Sequence, residues 1–550
     1  MIELDDSEVV LDYKRRIDQF LVGCLDLNSY DPSRENGADS RKIIHDNVWG
    51  TNSYEPWEIA LIDSPLMQRL TYIHQTGLSF YIYPTSNHTR FDHSLGMATL
   101  VDRIIENLSK NCNRCRIDKI DRISLRIAAL LHDVGHGPYS HISEEAYKNR
   151  DEYKIIKRYF KKTYDVNPKP HELMSSLIVS SDIFKNWFKK NISNSDFVDK
   201  SIFKDIDLDA IAGFIVGSSK DPNRKFLSDI INGPLDADKL DYLARDAKFS
   251  GLSINYDIER YLKTIHIHKT AISGKDFQTL SLPLSGISSL EQIVMCKMML
   301  HSSLYHHQKV RCIEKMFYRL CQNLMNGQSR KDRIAIEHPV DFLKYIDSDL
   351  LSYSSITNNS YLRESKTLHS DLSNRRLMKR ALIISRPFIE GLEQSEDVIL
   401  GFDRLNSDIK NDQDRLVSSI VKEARVEMEN NGQKDNVSAA DIIIDMPDKP
   451  SMKEVLSTRV PLGFNTDTSE VEIDDIIPIS RWIEGYGNTK LRGHVFCYDK
   501  FRSCVNLAAR RVFSRSPYNL VLSSNATKLC KLEHKPISEE LQKKLYDEPR

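Results

Sequence analysis

The sequence predicts a mainly α-helical protein with small β elements. Apolar residues recur at steps of three and four over long stretches, such as 95–108 and 120–134, which is typical of helices that bury one face. Alternation of apolar and polar residues is confined to short segments. One of them, 265–268, is followed by a polar turn at 273–276, and together they predict a small β-hairpin. At 550 residues, the chain is long enough to bury a large core and to form two or more structural units.

Three regions follow one another along the chain. Residues 1–41 contain a predicted amphipathic helix at 6–24 and a polar loop. Residues 42–330 form the predicted main body, which ends with a long helix at 286–325. Residues 331–550 form a C-terminal lobe for which we expect mixed α and β structure.

The C-terminal lobe contains candidates for both kinds of element. A charged helix is expected at 402–430, and strands are expected at 442–444 and 494–498. The segment 358–376 is polar and rich in Ser and Asn, so we expect an exposed loop or linker there.

Composition excludes several classes of protein. The formal net charge of −1 at pH 7 provides no global positive field that would attract nucleic acid. No uninterrupted apolar run approaches the ~20 residues of a membrane span, and the acidic start lacks the pattern of a signal peptide. Nine scattered cysteines favour reduced thiols and a cytoplasmic setting. We interpret Cys112-Asn113-Arg114-Cys115 as a loop, because no second Cys or His pair follows at zinc-finger spacing.

The most informative motif is His132-Asp133, at the end of the apolar helix predicted at 120–134. Adjacent helical residues project roughly 100° apart, so this pair can straddle one ion. His136 lies one turn later on the same side, and the glycines and proline of 135–138 end the helix. An imidazole, a carboxylate and an open loop at one point are what a hydrolytic metal centre requires.

Taken alone, the motif is equally compatible with a capped helix end, and the chain holds a second pair, His45-Asp46. Two other segments supply partners, because His93 opens the helix predicted at 95–108 and Asp238 lies on a third predicted helix. Mixed imidazole and carboxylate ligands suit a divalent ion such as Mn²⁺, Fe²⁺, Mg²⁺ or Zn²⁺. The predicted metal ligands are His93, His132, Asp133 and Asp238.

The order of these residues resembles the HD-domain phosphohydrolase superfamily. Their surroundings are similar to its deoxynucleoside triphosphate triphosphohydrolase branch, which includes the bacterial dGTPases and the SAM- and HD-domain dNTPase. The similar segments are 44–46, 49–50, 62–65, 68–70, 88–96, 131–141, 170–172 and 236–246. The resemblance implies a helical HD-domain fold for 42–330, with a dNTP cleaved to a deoxynucleoside and inorganic triphosphate.

The resemblance also implies a mechanism. Hydroxide generated at the metal attacks the α-phosphorus, and a histidine protonates the departing 5′-oxygen. By resemblance His141 is that proton donor and Glu144 its partner, where the family usually has Asp. The other implied catalytic residues are His136, His171 and Glu172, although a histidine before a helix, as at position 171, also serves as a cap.

Substrate contacts follow from the same resemblance. Arg90, Lys239 and Tyr242 match residues that contact the triphosphate, although Lys239 also suits a solvated helix position. Gln75 and Asp246 match positions that contact the deoxyribose 3′-hydroxyl. The remaining substrate contact is Tyr305, which resembles the residue that excludes ribose, in a segment one residue longer than the family pattern.

Regulation and assembly are implied less completely. Two pairs of residues match effector contacts: Asp63 with Gln68, and Asp257 with Arg260. Thr71 stands where regulated relatives carry Arg, and the loss of a planar charged donor counts against activation by a guanine nucleotide. We expect a homo-oligomer, either a dimer or a tetramer, with the C-terminal lobe in oligomerisation or regulation. Basic clusters at 375–380 and 510–515 suit solvated faces, with phosphate binding as the alternative.

The leading hypothesis is a metal-dependent dNTP triphosphohydrolase that acts in dNTP pool control or antiviral defence. One alternative is an HD phosphohydrolase of a cyclic dinucleotide or guanosine tetraphosphate. Another is a nucleotide sensor or a single-stranded nucleic-acid binder with vestigial hydrolysis. The complete ligand set counts against a pure binder, and Gln75, Arg90 and Tyr242 favour the dNTP substrate.

Overall fold

The computed structural model describes a mainly α-helical chain whose residues form two compact units. Unit 1 comprises Met1–His301, Tyr318–Ser365 and Ser451–Ser480, and unit 2 comprises Ser302–Phe317, Lys366–Pro450 and Arg481–Arg550. Each unit combines segments from several parts of the chain, and the division into domains at residues 41 and 330 stays a prediction. The described residues are 6–25, 41–111, 117–234, 236–272, 275–326, 336–351, 360–433, 435–456, 458–461 and 470–530.

Helices make up most of both units. The α-helices are α1 (Asp6–Leu25), α2 (Pro56–Ile62), α3 (Pro65–Gln68), α4 (Arg90–Asn111), α5 (Lys119–Leu131), α6 (His141–Glu145), α7 (Asp151–Tyr164), α8 (Pro170–Ser180), α9 (Asp182–Phe188), α10 (Lys200–Phe203), α11 (Leu208–Ile215), α12 (Lys225–Ile231), α13 (Ala237–Ser250), α14 (Ile258–Thr264), α15 (Ile287–Leu300), α16 (Gln308–Asn326), α17 (Asp347–Leu351), α18 (Ser360–Ser373), α19 (Glu396–Asn411), α20 (Gln413–Asn430), α21 (Lys453–Leu456), α22 (Ile473–Ile476), α23 (Ile479–Thr489), α24 (Arg502–Ser514) and α25 (Ser524–Lys528). Short 3₁₀ helices cover Arg69–Tyr72, Ser79–Tyr81, Pro222–Arg224, Leu284–Gly286, Pro339–Lys344, Arg386–Phe388, Ala439–Asp441 and Asp499–Phe501, and π turns cover Lys189–Ser193 and His301–Tyr305.

The strands form small antiparallel sheets. They are β1 (Lys42–Asp46), β2 (Gly50–Tyr54), β3 (His266–Ile272), β4 (Lys275–Ser281), β5 (Lys379–Ile384), β6 (Ile442–Asp445), β7 (Arg459–Pro461), β8 (Glu470–Glu472) and β9 (Gly493–Cys497). Three pairs, β1–β2, β3–β4 and β7–β8, are two-stranded, whereas β5, β9 and β6 form a three-stranded sheet with β9 in the centre. The predicted fold class, mainly α with a small hairpin and a mixed lobe, is therefore confirmed.

The core of unit 1 is built on α4. This helix packs against α5 and α13, and α11 packs against α5 and α8. The start of α5 is fixed by a capping box, in which the side chains of Asp118 and Asp121 each accept the other residue's backbone N–H. Its apolar stripe, including Ile127 and Leu130, is buried, so the last turn of α5 and the residues after it are held inside the unit.

Unit 2 packs helices onto its three-stranded sheet. Its apolar core includes Ile442 and Ile444 of β6, Val495 of β9 and Ile420 of α20. The strands expected at 442–444 and 494–498 are thus present as β6 and β9.

Three predicted segments differ in detail. The helix expected at 286–325 is interrupted by the π turn His301–Tyr305, because one extra residue in a helix is accommodated by wider i→i+5 pairing. The helix expected at 402–430 is two helices, since Asp412 adopts a non-helical backbone between α19 and α20. The segment predicted as a loop at 358–376 contains α18, whose Leu368 and Leu372 are buried.

Two further expectations concern the Cys-x-x-Cys segment and membrane-spanning helices. The Cys112–Cys115 loop lies outside the described residues. Within the described ranges, every helix is too short or too polar to cross a membrane.

Gly96 on α4 provides a test of the close approach between α4 and α13. A Cβ atom at this position would overlap Asp241 Oδ1 and Arg245 Nη2, so we expect Gly96→Ala to lower the free energy of unfolding by about 1–3 kcal/mol. Gly23 on α1 meets nothing within 4 Å, and Gly23→Ala is expected to raise that free energy by about 0.5–1 kcal/mol through helix propensity. Urea unfolding of both variants makes the comparison, and equal effects would refute the steric account.

Candidate metal site

Three helix ends bring three potential metal ligands together. His93 lies in the first turn of α4, His132 directly follows α5, and Asp238 lies in the first turn of α13. His93 Nε2 is 3.2 Å from His132 Nε2 and 3.0 Å from Asp238 Oδ1. One ligand atom from each residue lies within 4.8 Å of the others. The arrangement suits a single divalent ion with mixed nitrogen and oxygen ligands.

The tautomer of His132 is fixed by its own helix. Its Nδ1–H donates to the Ala129 carbonyl oxygen at 2.7 Å, which leaves the lone pair of Nε2 directed at His93. Two such nitrogens at 3.2 Å are satisfied when a cation lies beside them. Burial lowers the pKa of His132, which keeps its ring neutral and able to ligate.

Asp133 adjoins this group but is shared with an arginine. Its Oδ1 lies 3.3 Å from His132 Nε2, and its Oδ2 lies 3.7 Å from His93 Nε2. Arg90 Nη1 donates to the same Oδ2 at 2.8 Å. Burial by itself would raise the pKa of Asp133, but Arg90 and His132 hold it well below its usual range. The structure therefore brings all four predicted ligands together, with one oxygen of Asp133 already engaged.

His93 is oriented by a carboxylate behind it. Its Nδ1–H donates to Asp241 Oδ2 at 2.6 Å, so Nε2 faces the ligand group. Burial alone would lower the pKa of His93, but its hydrogen bonds with Asp238 and Asp241 raise that pKa to about 10. A bound divalent ion would take the place of this proton, as expected for a metal-binding imidazole.

Behind Asp241 stands a buried arginine. Arg245 donates to Asp241 through Nε at 2.8 Å and Nη2 at 2.9 Å, and to Asp46 Oδ2 at 2.7 Å. Burial would raise the pKa of Asp241, but Arg245 and His93 lower it. The second His-Asp pair thus contributes Asp46 to the support of the site, whereas its His45 is exposed and lies 3.2 Å from Thr51 Oγ1.

In a second cluster, three histidines surround one carboxylate. Glu144 Oε1 lies 2.7 Å from His136 Nδ1 and 3.1 Å from His171 Nδ1, and its Oε2 lies 3.1 Å from His141 Nδ1. The rings of His136 and His171 stack with centroids 4.0 Å apart. These four residues also meet the distance criterion for a metal-binding group. The side chain of His141 is 59% exposed, so it alone among the histidines of this cluster faces an open side.

His136 joins the two clusters. Its Nε2 lies 3.3 Å from Asp133 Oδ1, and its Nδ1 lies near Glu144. Neither ring nitrogen has a correctly directed hydrogen bond within the described part of the chain. Burial lowers the pKa of His136 to about 3, so the ring is neutral near pH 7. Glu144 has its pKa well below the usual range, because His171 and His141 outweigh the burial that would raise it.

Glu172 lies at the edge of this cluster, with its Oε1 4.0 Å from His171 Nε2. Its carboxylate accepts the backbone N–H of Lys169 at 2.8 Å and pairs with Lys169 Nζ at 2.9 Å, which closes the start of α8. His171 Nδ1 lies 3.1 Å from Glu144 Oε1, and the catalytic role of His171 stays a prediction.

Several predicted substrate residues lie beside the ligands. Besides Asp133, Arg90 donates to Ser140 Oγ at 2.9 Å and to the Gln75 carbonyl at 3.3 Å. Gln75 Oε1 is buried and has no hydrogen-bond partner among the described residues. Asp246 Oδ1 lies 2.7 Å from His88 Nε2. Gln75 Oε1 is therefore available to accept a hydrogen bond from a substrate hydroxyl.

The remaining predicted substrate residues are Lys239, Tyr242 and Tyr305. Lys239 Nζ donates to the Gly233 carbonyl at 2.8 Å and pairs with Asp236 at 2.6 Å. Tyr242 lies one turn after Asp238 on α13, and burial raises its pKa. Tyr305 belongs to unit 2, and its contact with substrate stays a prediction.

The predicted effector residues make local contacts. Asp63 pairs with Lys42 at 2.8 Å, and Gln68 Nε2 donates to the Ile62 carbonyl at 2.9 Å. Their role as a nucleotide contact stays a prediction.

The second predicted effector pair is also engaged locally. Asp257 caps α14 by accepting the Arg260 N–H at 3.0 Å, and Arg260 Nη2 donates to the Ser285 carbonyl at 3.0 Å. Thr71 lies exposed in the 3₁₀ helix Arg69–Tyr72.

Asp347 is a buried residue beside the site that sequence reasoning missed. Its Oδ2 accepts from the His74 backbone N–H at 2.8 Å and lies 2.7 Å from His74 Nδ1, while its Oδ1 accepts from the Tyr139 N–H at 2.5 Å. Tyr139 and Ser140 both have positive φ, at 54° and 58°, which L-residues rarely adopt. Asp347 thus holds Tyr139 and His74 directly. Ser140 is held through His74, because its Oγ donates to the His74 carbonyl at 2.7 Å.

The chain matches two known sequence families. Residues 90–211 match the HD domain, and residues 257–517 match the HD associated region. Deoxynucleoside triphosphate triphosphohydrolase SAMHD1 of Homo sapiens is 27% identical over 301 residues, which are 51% of this chain and 44% of that protein. The same-named protein of Mus musculus is 27% identical over 291 residues, covering 50% and 43%. The SAMHD1 homolog of Dictyostelium discoideum is 28% identical over 356 residues, covering 64% and 62%.

In each of these three cases, the chain covers less than two thirds of the relative's length. The match to the HD domain includes His93, His132, Glu144 and the three histidines around Glu144. HD domains depend on divalent metal ions, and the donor set described above fits such an ion. A divalent metal is therefore the cofactor of this site.

The two His-Asp pairs allow a matched test of metal binding. We expect His132→Ala to lower the amount of Mn²⁺ or Fe²⁺ retained per chain by at least about tenfold, because it removes a direct ligand. His45→Ala alters an exposed imidazole and should retain the wild-type amount. Elemental analysis after dialysis measures both, and similar metal content in the two variants would exclude His132 as a ligand.

Proposed function

We propose that this chain, in which residues 90–211 match the HD domain, hydrolyses deoxynucleoside triphosphates to deoxynucleosides and inorganic triphosphate. The observation that carries the proposal is the junction of two clusters: a ligand group with His93, His132 and Asp238, and a proton-transfer group around Glu144. The names of the relatives support the choice of substrate.

The ligand group would hold the divalent ion through His93, His132 and Asp238, with Asp133 beside them. When bound, such an ion lowers the pKa of water and neutralises charge on a phosphoryl oxygen. The residues themselves supply the orientation, because Asp241 and Ala129 fix which ring nitrogen of each histidine faces the ion.

His141 is the proposed donor of a proton to the departing 5′-oxygen. Its ring is the exposed member of the second cluster, and its Nδ1 lies 3.1 Å from Glu144 Oε2. With Nδ1–H donated to Glu144, Nε2 is left to carry the transferred proton. The buried, neutral His136 supports the same carboxylate from the other side.

Substrate recognition is assigned to the polar groups beside the ligands. Arg90 presents its guanidinium between Asp133 and Ser140, where a phosphate can share it. Gln75 Oε1 is the proposed acceptor for the deoxyribose 3′-hydroxyl. Asp246, which lies on the same helix as Tyr242, is the second proposed contact with that hydroxyl. Lys239 would have to leave Asp236 to reach a phosphate.

The wider roles follow as part of the same proposal. Hydrolysis of dNTPs would lower dNTP pools, either in homeostasis or in antiviral defence. A homo-oligomer and a nucleotide effector at Asp63, Gln68, Asp257 and Arg260 are further proposed features. The preferred metal, among Mn²⁺, Fe²⁺, Mg²⁺ and Zn²⁺, is left to measurement.

Product chromatography tests the reaction directly. Each dNTP is incubated with the full chain and Mn²⁺, Mg²⁺ or Fe²⁺, singly and in mixtures. We expect deoxynucleoside and intact triphosphate, with the rate lowered about 10³-fold or more in His132→Ala because the ion is lost. His45→Ala is the matched control and should keep its rate. Monophosphate with pyrophosphate as products would overturn the assigned bond cleavage.

The role of Asp347 as a positioning residue makes a separate prediction. Asp347→Asn places an N–H donor against a donor of His74 or Tyr139, and we expect kcat to fall about 10–100-fold while metal content stays unchanged. The neighbouring Asp349 accepts only the Ile346 N–H that starts its helix, so Asp349→Asn should be nearly silent. A parallel loss of kcat and thermal stability in Asp347→Asn, with metal lost as well, would indicate general unfolding instead.

A further inference from the structure

His88 is a buried histidine that the hydrolytic mechanism does not use. It lies in the segment that leads into α4, and its side chain is 0% exposed. Its Nε2 lies 2.7 Å from Asp246 Oδ1, whereas its Nδ1 has no hydrogen-bond partner within the described residues. An ionised carboxylate only accepts hydrogen bonds, so Nε2 carries the proton that is donated to Asp246.

The backbone of His88 contacts Gln75 in a short antiparallel bridge. His74 pairs with Thr89 in this bridge, and the Gln75 N–H donates to the His88 carbonyl oxygen at 3.0 Å. One residue therefore holds Gln75 through its main chain and Asp246 through its ring. These are the two residues assigned above to the 3′-hydroxyl of the substrate.

Both of the residues held in this way lie close to the metal ligands. The Gln75 carbonyl oxygen accepts from Arg90 Nη2 at 3.3 Å, and Arg90 Nη1 donates to Asp133 Oδ2 at 2.8 Å. Asp246 lies on α13, about two turns after Asp238 and on a similar face of the helix. The contacts of this histidine are thus made next to the substrate site and not in a remote part of the core.

The ring of His88 is also fixed by packing. It lies against the ring of Phe249 on α13, with centroids 4.8 Å apart and planes inclined by 31°. Because the ring plane is fixed, the direction of the Nε2–H bond is fixed as well. A carboxylate that accepts from such a donor is oriented before the substrate arrives, which lowers the cost of binding a directed hydroxyl.

We propose that His88 is a positioning residue that makes the site selective for substrates with a free 3′-hydroxyl. The inference rests on the proposed function, because it takes Gln75 and Asp246 as the groups that contact this hydroxyl. His88 acts through these two residues and does not itself touch the substrate. Without its Nε2–H, Asp246 loses a donor that orients it, so a substrate with the hydroxyl loses its advantage over one without it.

Steady-state kinetics of the full chain with each dNTP and its 2′,3′-dideoxy counterpart tests the proposal. A site built around a hydroxyl strongly rejects the analogue without it, so we expect the wild type to favour the dNTP by about 10²-fold or more in kcat/KM. His88→Phe keeps an aromatic ring but has no donor, and we expect this preference to fall at least about tenfold, mainly through a higher KM for the dNTP. His88→Gln offers an amide N–H in place of Nε2–H and should restore most of the preference.

The matched control is His338→Phe, the same substitution at another buried histidine of unit 1. His338 contacts the ring of Tyr13 and accepts the Val340 N–H, and no residue assigned to the substrate is among these contacts. This control should keep the wild-type preference even if its melting temperature falls. A purely structural role of His88 would lower kcat/KM equally for both substrates.

Three outcomes would overturn the proposal: an unchanged preference in His88→Phe, an equal loss of preference in His338→Phe, or a wild type that hydrolyses both substrates equally well. Failure of the proposed function is a separate result, in which the wild type hydrolyses no dNTP. In that case calorimetric titration with dATP and its dideoxy counterpart in the presence of Mn²⁺ gives the preference as a ratio of Kd values. Tighter binding of dATP that is lost in His88→Phe would still support the role of His88, and equal affinities or no binding would overturn it.

Discussion

The buried carboxylate of Asp241 is the constraint on which the site depends. It accepts the Nδ1–H of His93 and two donors of Arg245, and Arg245 in turn holds Asp46. This one group therefore connects α4, α13 and the β1–β2 hairpin. An anion in the interior is stable only with such partners, so the three segments must assemble together for the ligand nitrogen of His93 to face the ion.

The sequence predicted those residues of the site whose neighbours in the chain already indicate their chemistry. His132 follows an apolar helix and precedes glycines, and His93 opens another helix, so their chemistry is visible within a few residues. Asp241 stands 148 residues after His93 and Asp347 stands 208 residues after Tyr139. No periodicity links residues so far apart, and only the packing of α4 against α13 and the turn at 139–140 reveal these partners.

The same distinction applies to the fold: helices with a regular apolar pattern were predicted, and segments that depend on distant packing were not. Periodicity predicted α5 and α13 because their apolar stripes are buried. It also predicted a single helix at 286–325, since the π turn His301–Tyr305 leaves the apolar pattern on either side intact. The segment at 358–376 was expected to be a loop because it is polar and rich in Ser and Asn, and its sequence does not reveal that Leu368 and Leu372 are buried.

The anchoring of Tyr139 and Ser140 by Asp347 has a consequence for synthesis of the protein. A ribosome makes the HD motif long before it makes Asp347, and until then the backbone N–H of Tyr139, a residue with unfavourable positive φ, lacks the acceptor that holds it. The nascent chain thus carries the turn at 139–140 for some 200 residues before the acceptor of the Tyr139 N–H is made. Completion of the turn beside His141 is therefore a late event in translation, which follows the synthesis of all four proposed metal ligands.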